Sequence, residues 1–287
     1  MQCAHVLVVF ACAFLFIPSD KATGQQKSSQ SAAKTASIQS IPNDVMLRIV
    51  RAEDERRYDN DLGVLLFDKD ARVRERAALA AGRIGDERAV ASLVTLLQTD
   101  KEASVRAMAA FALGEIESPA GAAALSEVLE KASETNEVRA RSLEALGKIA
   151  AALPKTDEAR SHAIGEIILK AMNDELSRSP KPNREVVLLG LTATLRARPA
   201  GASLVIAKFL SSTDARVRAD AENTLTRLRA KEATGQLRQL LASDADPIVR
   251  ANAARALGAA EDASSLDALA ARVRHWHEQS GPRRLPE

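Results

Sequence analysis

The sequence predicts an all-α protein, a right-handed α-solenoid of stacked helical hairpins. A Val-Arg pair recurs along the 287 residues at a nearly constant spacing: Val73-Arg74, Val105-Arg106, Val138-Arg139, Val217-Arg218 and Val249-Arg250. Three of the steps are 32 or 33 residues long, a period typical of repeats that bury their apolar faces only by stacking on neighbours. Strand signals are missing, because alternating apolar and β-branched runs do not occur and aromatic residues make up only 3% of the chain.

The first helix of each repeat is predicted from a capping residue followed by apolar residues on one helical face. Asp70 can accept hydrogen bonds from the free N–H groups of the first turn. Asp214, Asp246 and Thr135 hold the same offset before their own Val residues. The buried faces should be rich in alanine: Val73, Ala77, Ala80, Ala81 and Ile84; Val105, Ala109, Ala112, Leu113 and Ile116; Val249, Ala253, Ala256, Leu257 and Ala260.

Glycine recurs near the end of this first helix. The glycines that share the offset are Gly82, Gly114, Gly147 and Gly258. Glycine costs a helix about 1 kcal/mol relative to alanine. Its recurrence therefore indicates either close helix packing or a C-terminal cap.

A second helix follows each first one, which makes the repeat a helical hairpin. Asp86 opens a helix whose apolar residues are Val90, Leu93, Val94, Leu96 and Leu97. Ser118-Pro119 opens the next, with Leu125, Val128 and Leu129. Leucine on the second helix is expected to pack against alanine and valine on the first.

The N-terminal residues 1–24 are predicted to be a secretory signal peptide. The apolar run from Val6 to Ile17 is too short to span a bilayer comfortably. It is followed by the small residues Ala22-Thr23-Gly24, where a signal peptidase would cleave. Residues 25–42 are polar and low in complexity and should form a flexible linker.

The solenoid is expected to cover residues 43–278, followed by a tail at 279–287. Asn43 should cap its first helix, and a shorter helix near 62–67 should complete an N-terminal unit outside the repeat. A helix from about Ser264 to Glu278 should close the array.

The period breaks once, because 79 residues separate Val138 from Val217. A long helix near 157–176 and the polar loop 177–183 are expected in this interval. Residues 184–197 are interpreted as a degenerate repeat without a Val-Arg pair. Such a unit changes the local curvature of a solenoid, whether or not it has a function.

The repeat resembles the HEAT-repeat family, in particular its short variety first associated with phycobilisome lyases. The matching phrases are residues 73–86, 105–116 and 249–258, and the resemblance extends from about Asn43 to Arg274. It implies an α-solenoid and implies no specific activity. One enzymatic HEAT family, deoxyhypusine hydroxylase, holds two irons with several His-Glu pairs, but only His277-Glu278 matches that pattern here.

Charge and composition favour no catalytic or nucleic-acid-binding class. The net charge is +2, with acids and bases interspersed, so we expect no nucleic-acid partner. Cys3 and Cys12 both lie in the predicted signal, which leaves the mature chain without a thiol. The remaining histidines, His162, His275 and His277, are too scattered to predict a metal site. We therefore predict no catalytic residue, cofactor or bound metal.

The repeated arginines admit two interpretations. Arg74, Arg106, Arg139, Arg218 and Arg250 could form a ladder for an acidic partner. Alternatively, each pairs with an acid of a neighbouring repeat, such as Asp68, Asp100 or Asp244. A further cluster, Trp276 beside two histidines, Arg272 and Arg274, is expected to be the end cap of the array or a docking patch.

The function predicted from these observations is that of an exported, non-catalytic scaffold, periplasmic or secreted, for a protein or peptide partner. Its second helices should expose a polar row: Ser92, Thr95, Gln98, Glu127, Lys208, Arg238 and Gln239. An alternative is an accessory or truncated N-terminal module of a cyclophilin-type peptidyl-prolyl isomerase, because residues 51–58 resemble the openings of arrays that precede such domains. A phycobilisome-lyase-like chromophore attachment factor is a further alternative, which export would disfavour.

Overall fold

The computed structural model describes residues 40–178 and 181–280, and the side chains as far as His275. The predicted signal peptide (1–24), most of the predicted linker (25–42) and most of the predicted tail (279–287) lie outside the described residues. The described residues from Ile41 onward form one compact unit.

The described residues contain fourteen α-helices that pair into seven consecutive hairpins. In chain order these are α1 (Asn43–Asp54) with α2 (Asn60–Leu65), α3 (Ala71–Ile84) with α4 (Val90–Thr99), α5 (Ala103–Ile116) with α6 (Ala122–Glu130), α7 (Asn136–Ala152) with α8 (Glu158–Leu176), α9 (Arg184–Ala197) with α10 (Ala202–Ala207), α11 (Ala215–Leu228) with α12 (Thr234–Ser243), and α13 (Pro247–Ala259) with α14 (Leu266–Ser280). Short 3-10 turns lie at Glu87–Ala89, Pro119–Gly121, Lys208–Ser211 and Ala263–Ser265.

The helices form two layers. Each first helix packs on the first helix of the next hairpin, in the order α1, α3, α5, α7, α9, α11 and α13. The second helices α4, α6, α8 and α10 pack in the same way in the other layer, as do α12 and α14. The part of the chain that the structure describes contains no strand, so the predicted all-α solenoid is confirmed.

None of the helices in the described residues has both the length and the hydropathy needed to cross a membrane.

Acidic and hydroxyl side chains cap the N-termini of most of the first helices, as the repeat predicts. The Asp70 and Asp214 carboxylates accept from the backbone N–H groups of the residues two positions on, and Thr135 accepts from Val138. The predicted Asn43 cap is wrong. The Met46 N–H donates to the carbonyl of Pro42 at 2.9 Å, so Asn43 is already inside the helix and its side chain makes no capping bond.

The predicted alanine-rich faces form the core. Of the fifteen residues predicted there, fourteen are buried, and Ile116 is half-buried. Alanine at these positions lets neighbouring first helices approach closely. The core continues without interruption from Ile49 to Leu257.

The repeated glycines mark the closest contacts between first helices. A Cβ atom added to Gly82, Gly114 or Gly147 would lie 2.8, 2.7 and 2.5 Å from the Cα atoms of Ala112, Ala145 and Ala193, respectively. Close packing is therefore the correct interpretation for these three, and the left-handed cap of α3 is Gly85 instead, with φ 77°. Gly258 has no neighbour within 4 Å of such a Cβ atom, because no further first helix follows α13 among the described residues.

The break in the period is a longer hairpin followed by a regular one. Ala193 contacts Gly147 as Ala112 contacts Gly82, which places Val186 at the position of the repeated valine. The spacing from Val138 to Val186 is thus 48 residues, and from Val186 to Val217 it is 31. The extra residues lie in α7, in the 19-residue α8 and in the loop after it, which confirms the long helix and the degenerate repeat.

Candidate functional site

Four of the five repeated arginines bridge an acid of the same array. Arg74 contacts Asp100 through Nε at 2.6 Å and Nη2 at 2.8 Å. Arg106 contacts Glu134 at 3.0 and 2.7 Å, Arg139 contacts Glu175 at 2.6 Å, and Arg218 contacts Asp244 at 2.8 Å through both nitrogens. Together with Arg250, we call this row the arginine ladder.

The ladder ties successive inter-hairpin loops together. Arg74 Nη1 donates to the Asp68 carbonyl in the loop before its hairpin, at 2.9 Å, while its other nitrogens hold Asp100 in the loop after it. The second oxygen of Asp100 accepts from the Glu102 N–H at 2.9 Å. Arg250 donates in the same way to the Asp244 carbonyl at 2.7 Å.

These geometries decide between the two interpretations of the arginines. The Arg74 and Asp100 side chains are only 14% and 4% exposed, so they are structural and do not form a free surface for an acidic partner. Among the predicted partners Asp100 and Asp244 are correct. Asp68 is wrong, because it offers its carbonyl to Arg74 while its carboxylate accepts from the Asp70 N–H. The hydrogen bond from Arg218 lowers the pKa of Asp244 below its ordinary value.

The ladder is interrupted at α9. Val187, only 1% exposed, occupies the position that arginine holds in the other repeats. The position of the loop acid is occupied by Ser212, whose hydroxyl accepts from the Asp214 N–H at 3.2 Å as Asp244 accepts from Asp246. The guanidinium and the carboxylate of one bridge are therefore both replaced.

A cavity of about 780 Å³ lies at this interruption, and we call it the ladder cavity. Its walls come from the end of α8, the loop after it, the start of α9, the turn Lys208–Ser211 and the loop before α11. Val187, Phe209 and Val217 form a buried apolar floor. The volume falls within the range of about 300–1,000 Å³ that is typical of ligand sites.

The rim of the ladder cavity is cationic: it carries Arg178, Lys181, Arg184 and Lys208. Its two carboxylates are already engaged. Glu175, fully buried, lies 2.6 Å from Arg139 and 3.3 Å from Arg178 and also accepts from the Asn183 N–H at 2.6 Å.

The other carboxylate, Asp214, caps α11 and lies 3.2 Å from Arg184. Lys208 donates to the side-chain oxygen of Asn173 at 2.8 Å. Neither Lys181 nor Lys208 pairs with a carboxylate of the described residues.

Five of the seven side chains predicted to line the second helices are exposed, and we call these five the second-helix row: Thr95, Gln98, Glu127, Lys208 and Gln239. Ser92 and Arg238 are half-buried instead. Arg238 is drawn towards the next hairpin, where its Nη1 lies 2.7 Å from Asp262.

His162 and His275 lie apart from this cavity. His162 is exposed on α8, 4.0 Å from Glu166, and His275 is exposed on α14. The side chains of Trp276 and His277 lie outside the described residues. Within 40–178 and 181–275, no group of His, Cys, Asp and Glu side chains is arranged to hold a metal ion.

The sequence analysis did not identify Arg178, Lys181 and Arg184 as candidate residues. A signal for them was present, because cations recur at every third position from within the polar loop to the residue just after it, next to the one repeat that lacks Val-Arg. Their convergence with Lys208 depends on how α9 and α10 stack on α8, which the sequence does not specify.

A family model for HEAT repeats matches residues 57–107, 96–164 and 203–279. Among solved structures, the YibA protein of Escherichia coli is similar at 18% identity and a TM-score of 0.57, over 81% of this chain and 80% of that one. An archaeal HEAT-like repeats protein from Thermococcus onnurineus NA1 is similar at 17% identity and a TM-score of 0.51, over 76% of this chain and 92% of that one. An engineered protein is similar at 23% identity and a TM-score of 0.50, over 70% of this chain and 95% of that one. None of the curated proteins matches.

Proposed function

Since this chain belongs to the HEAT-repeat family, we propose that it is an exported, non-catalytic scaffold that presents its solenoid to a protein or peptide partner. Stacked repeats create extended surfaces, and such surfaces are what repeat proteins use for binding. The observation that carries the proposal is the second-helix row, which is polar, exposed and distributed over hairpins from α4 to α12.

The length of the row suits an extended ligand. Three packing steps separate α4 from α10, and helices in contact lie about 8–10 Å apart, so this part of the row spans roughly 27 Å. An extended peptide advances roughly 3.3 Å per residue and would cover this distance with about eight residues. Short polar side chains on such a surface favour a peptide or a partner helix over a compact metabolite.

Binding can be tested by capture from envelope extracts with the chain from residue 25 onward, followed by calorimetric titration of the captured protein. We expect Gln98→Trp/Gln239→Trp to weaken binding at least tenfold, because two bulky side chains would interrupt the row. Asn223→Trp, at an exposed position of α11 in the other layer, is the matched control and should bind normally. Equal binding by the two variants would contradict the assignment of this surface, and turnover of a proline peptide would overturn the non-catalytic part of the proposal.

Export rests on residues 1–24. We expect mass spectrometry of the protein from its host to find a mature N-terminus between Gly24 and Lys27. Leu15→Arg should block processing, because a charge in the apolar run opposes membrane insertion. An intact Met1 on wild-type protein in the cytoplasmic fraction would be incompatible with export.

A further inference from the structure

We propose that the ladder cavity is a binding site for the carboxylates of an acidic peptide segment. This inference rests on the proposed scaffold function, because it names the chemical class of the partner. It adds a site at the interruption of the arginine ladder, where Val187 and Ser212 replace a guanidinium and a carboxylate.

The first support is that the cavity lies where an arginine bridge of the regular repeats is missing. In the regular repeats a guanidinium bridges the loop before its hairpin and the loop after it, as Arg74 does between Asp68 and Asp100. At α9 the Val187 side chain is too short to reach either loop and is itself buried in the floor. The opening between the two loops is thus left for a ligand from outside the chain.

The second support is the charge around that space. Four cations line the ladder cavity, against the two carboxylates Glu175 and Asp214. Glu175 is paired with Arg178 of the rim and with the buried Arg139, and Asp214 is paired with Arg184. Lys181 and Lys208, which have no carboxylate partner among the described residues, are therefore available to an anionic guest.

The third support is that three of the cationic side chains are already held in position before any ligand binds. Arg178 is held by Glu175, Arg184 by Asp214, and Lys208 by Asn173. A guest carboxylate would meet charges that are already positioned, which reduces the entropy lost on binding. Arginine and lysine form their strongest hydrogen bonds with such ionised oxygens.

A peptide is favoured over a free anion by the size of the cavity and by Lys208. A volume of about 780 Å³ is far larger than one carboxylate or phosphate needs. Lys208 belongs both to the cavity rim and to the second-helix row, so a peptide lying along the row would reach the cavity directly. A long polyanion such as a nucleic acid is disfavoured, because the net charge of the chain is only +2.

The test uses the chain from residue 25 onward and a blocked hexaglutamate peptide as the probe, with hexaglutamine as the neutral comparison. We expect hexaglutamate alone to bind, and its affinity to fall when salt is raised from 50 to 500 mM. Lys181→Glu/Lys208→Glu should weaken binding at least tenfold. Lys101→Glu/Lys131→Glu makes the same charge change on exposed lysines of two regular loops and should leave binding within twofold of wild type.

A second variant closes the cavity without adding negative charge overall. Val187→Arg/Ser212→Asp restores the missing bridge, and it should abolish hexaglutamate binding while preserving the circular dichroism spectrum and the melting temperature. Binding that survives in this variant, or in Lys181→Glu/Lys208→Glu, would overturn the proposal.

The probes also distinguish other outcomes. Binding of inorganic phosphate without binding of hexaglutamate, lost in the same variants, would overturn the peptide assignment. Capture of a protein through the second-helix row, with no hexaglutamate binding at all, would remove the cavity site and leave the scaffold proposal standing.

Discussion

Replacing Glu222 with glutamine is expected to raise the melting temperature at pH 7 by roughly 5–10 °C, which corresponds to about 3 kcal/mol in a chain of this size. Glu222 lies on α11, is fully buried, and its carboxyl oxygens have no hydrogen-bond partner among the described residues. Burial, with a smaller contribution from the negative charge of Asp244, raises the pKa of Glu222 to about 9. The folded protein therefore holds a proton that the unfolded chain releases at neutral pH.

The pH dependence follows from this difference. Between the ordinary glutamate pKa of about 4.5 and the folded value of about 9, the folded state binds more protons than the unfolded state. Stability must then fall as pH rises, by about 1.4 kcal/mol per pH unit for one group. Below pH 4.5 both states are protonated, so wild type and Glu222→Gln should melt at similar temperatures there.

Thermal melts of the two proteins from pH 4 to 9 measure this effect. Their difference should grow steadily with pH. Glu166→Gln, at an exposed position of α8, serves as the control and should stay within about 0.5 kcal/mol of wild type. A constant difference between wild type and Glu222→Gln across this range would show that Glu222 is ionised in the folded protein.

Gly147→Ala should have the second-largest effect and the opposite sign. The added Cβ would lie 2.5 Å from the Ala193 Cα atom, and backbone cannot rotate away as a side chain can. Overpacking of this kind costs typically 1–3 kcal/mol, which exceeds the gain of about 1 kcal/mol in helix propensity. At the upper end of this cost, about 3 kcal/mol, the net loss is about 2 kcal/mol.

Gly258→Ala is the matched control, because it makes the same change at the same repeat position. No atom lies within 4 Å of the added Cβ, so only the propensity gain remains and the melting temperature should rise slightly. If both variants changed the melting temperature in the same direction, the close approach of α7 and α9 would not be what requires glycine at 147.

The sequence was sufficient for the fold because the Val-Arg repeat fixes one helical position in each unit. From Val73 or Val249 the capping acid, the alanine face and the glycine all follow at constant offsets. Even the degenerate repeat at 184–197 was predicted within its bounds. Local chemistry and packing agree at these positions, which is why counting residues works.

The same reasoning stops where a residue departs from its repeat position. The repeat position of Glu222 is held by alanine in two other repeats, at Ala78 and Ala110, so the sequence identifies Glu222 as a departure from the repeat. The sequence cannot tell whether a cation of the next hairpin pairs with the Glu222 carboxylate, because that depends on side chains distant in sequence. The cationic cavity is not predictable for a similar reason, since its rim is assembled from the loop after α8, the start of α9 and the turn after α10.

The interrupted ladder also has a mechanical consequence. At the junction of α9 and α11, Val187 and Ser212 remove the buried arginine bridge that ties the loops at the other junctions, and only the more exposed pair Arg184–Asp214 remains. Resistance to bending should therefore be lowest here, with the α9–α11 contact acting as a pivot and the loop edge opening and closing around it. A guest in the cavity would act as a wedge. It would set the angle between the two halves, and with it the curvature that a partner lying along the whole array must match.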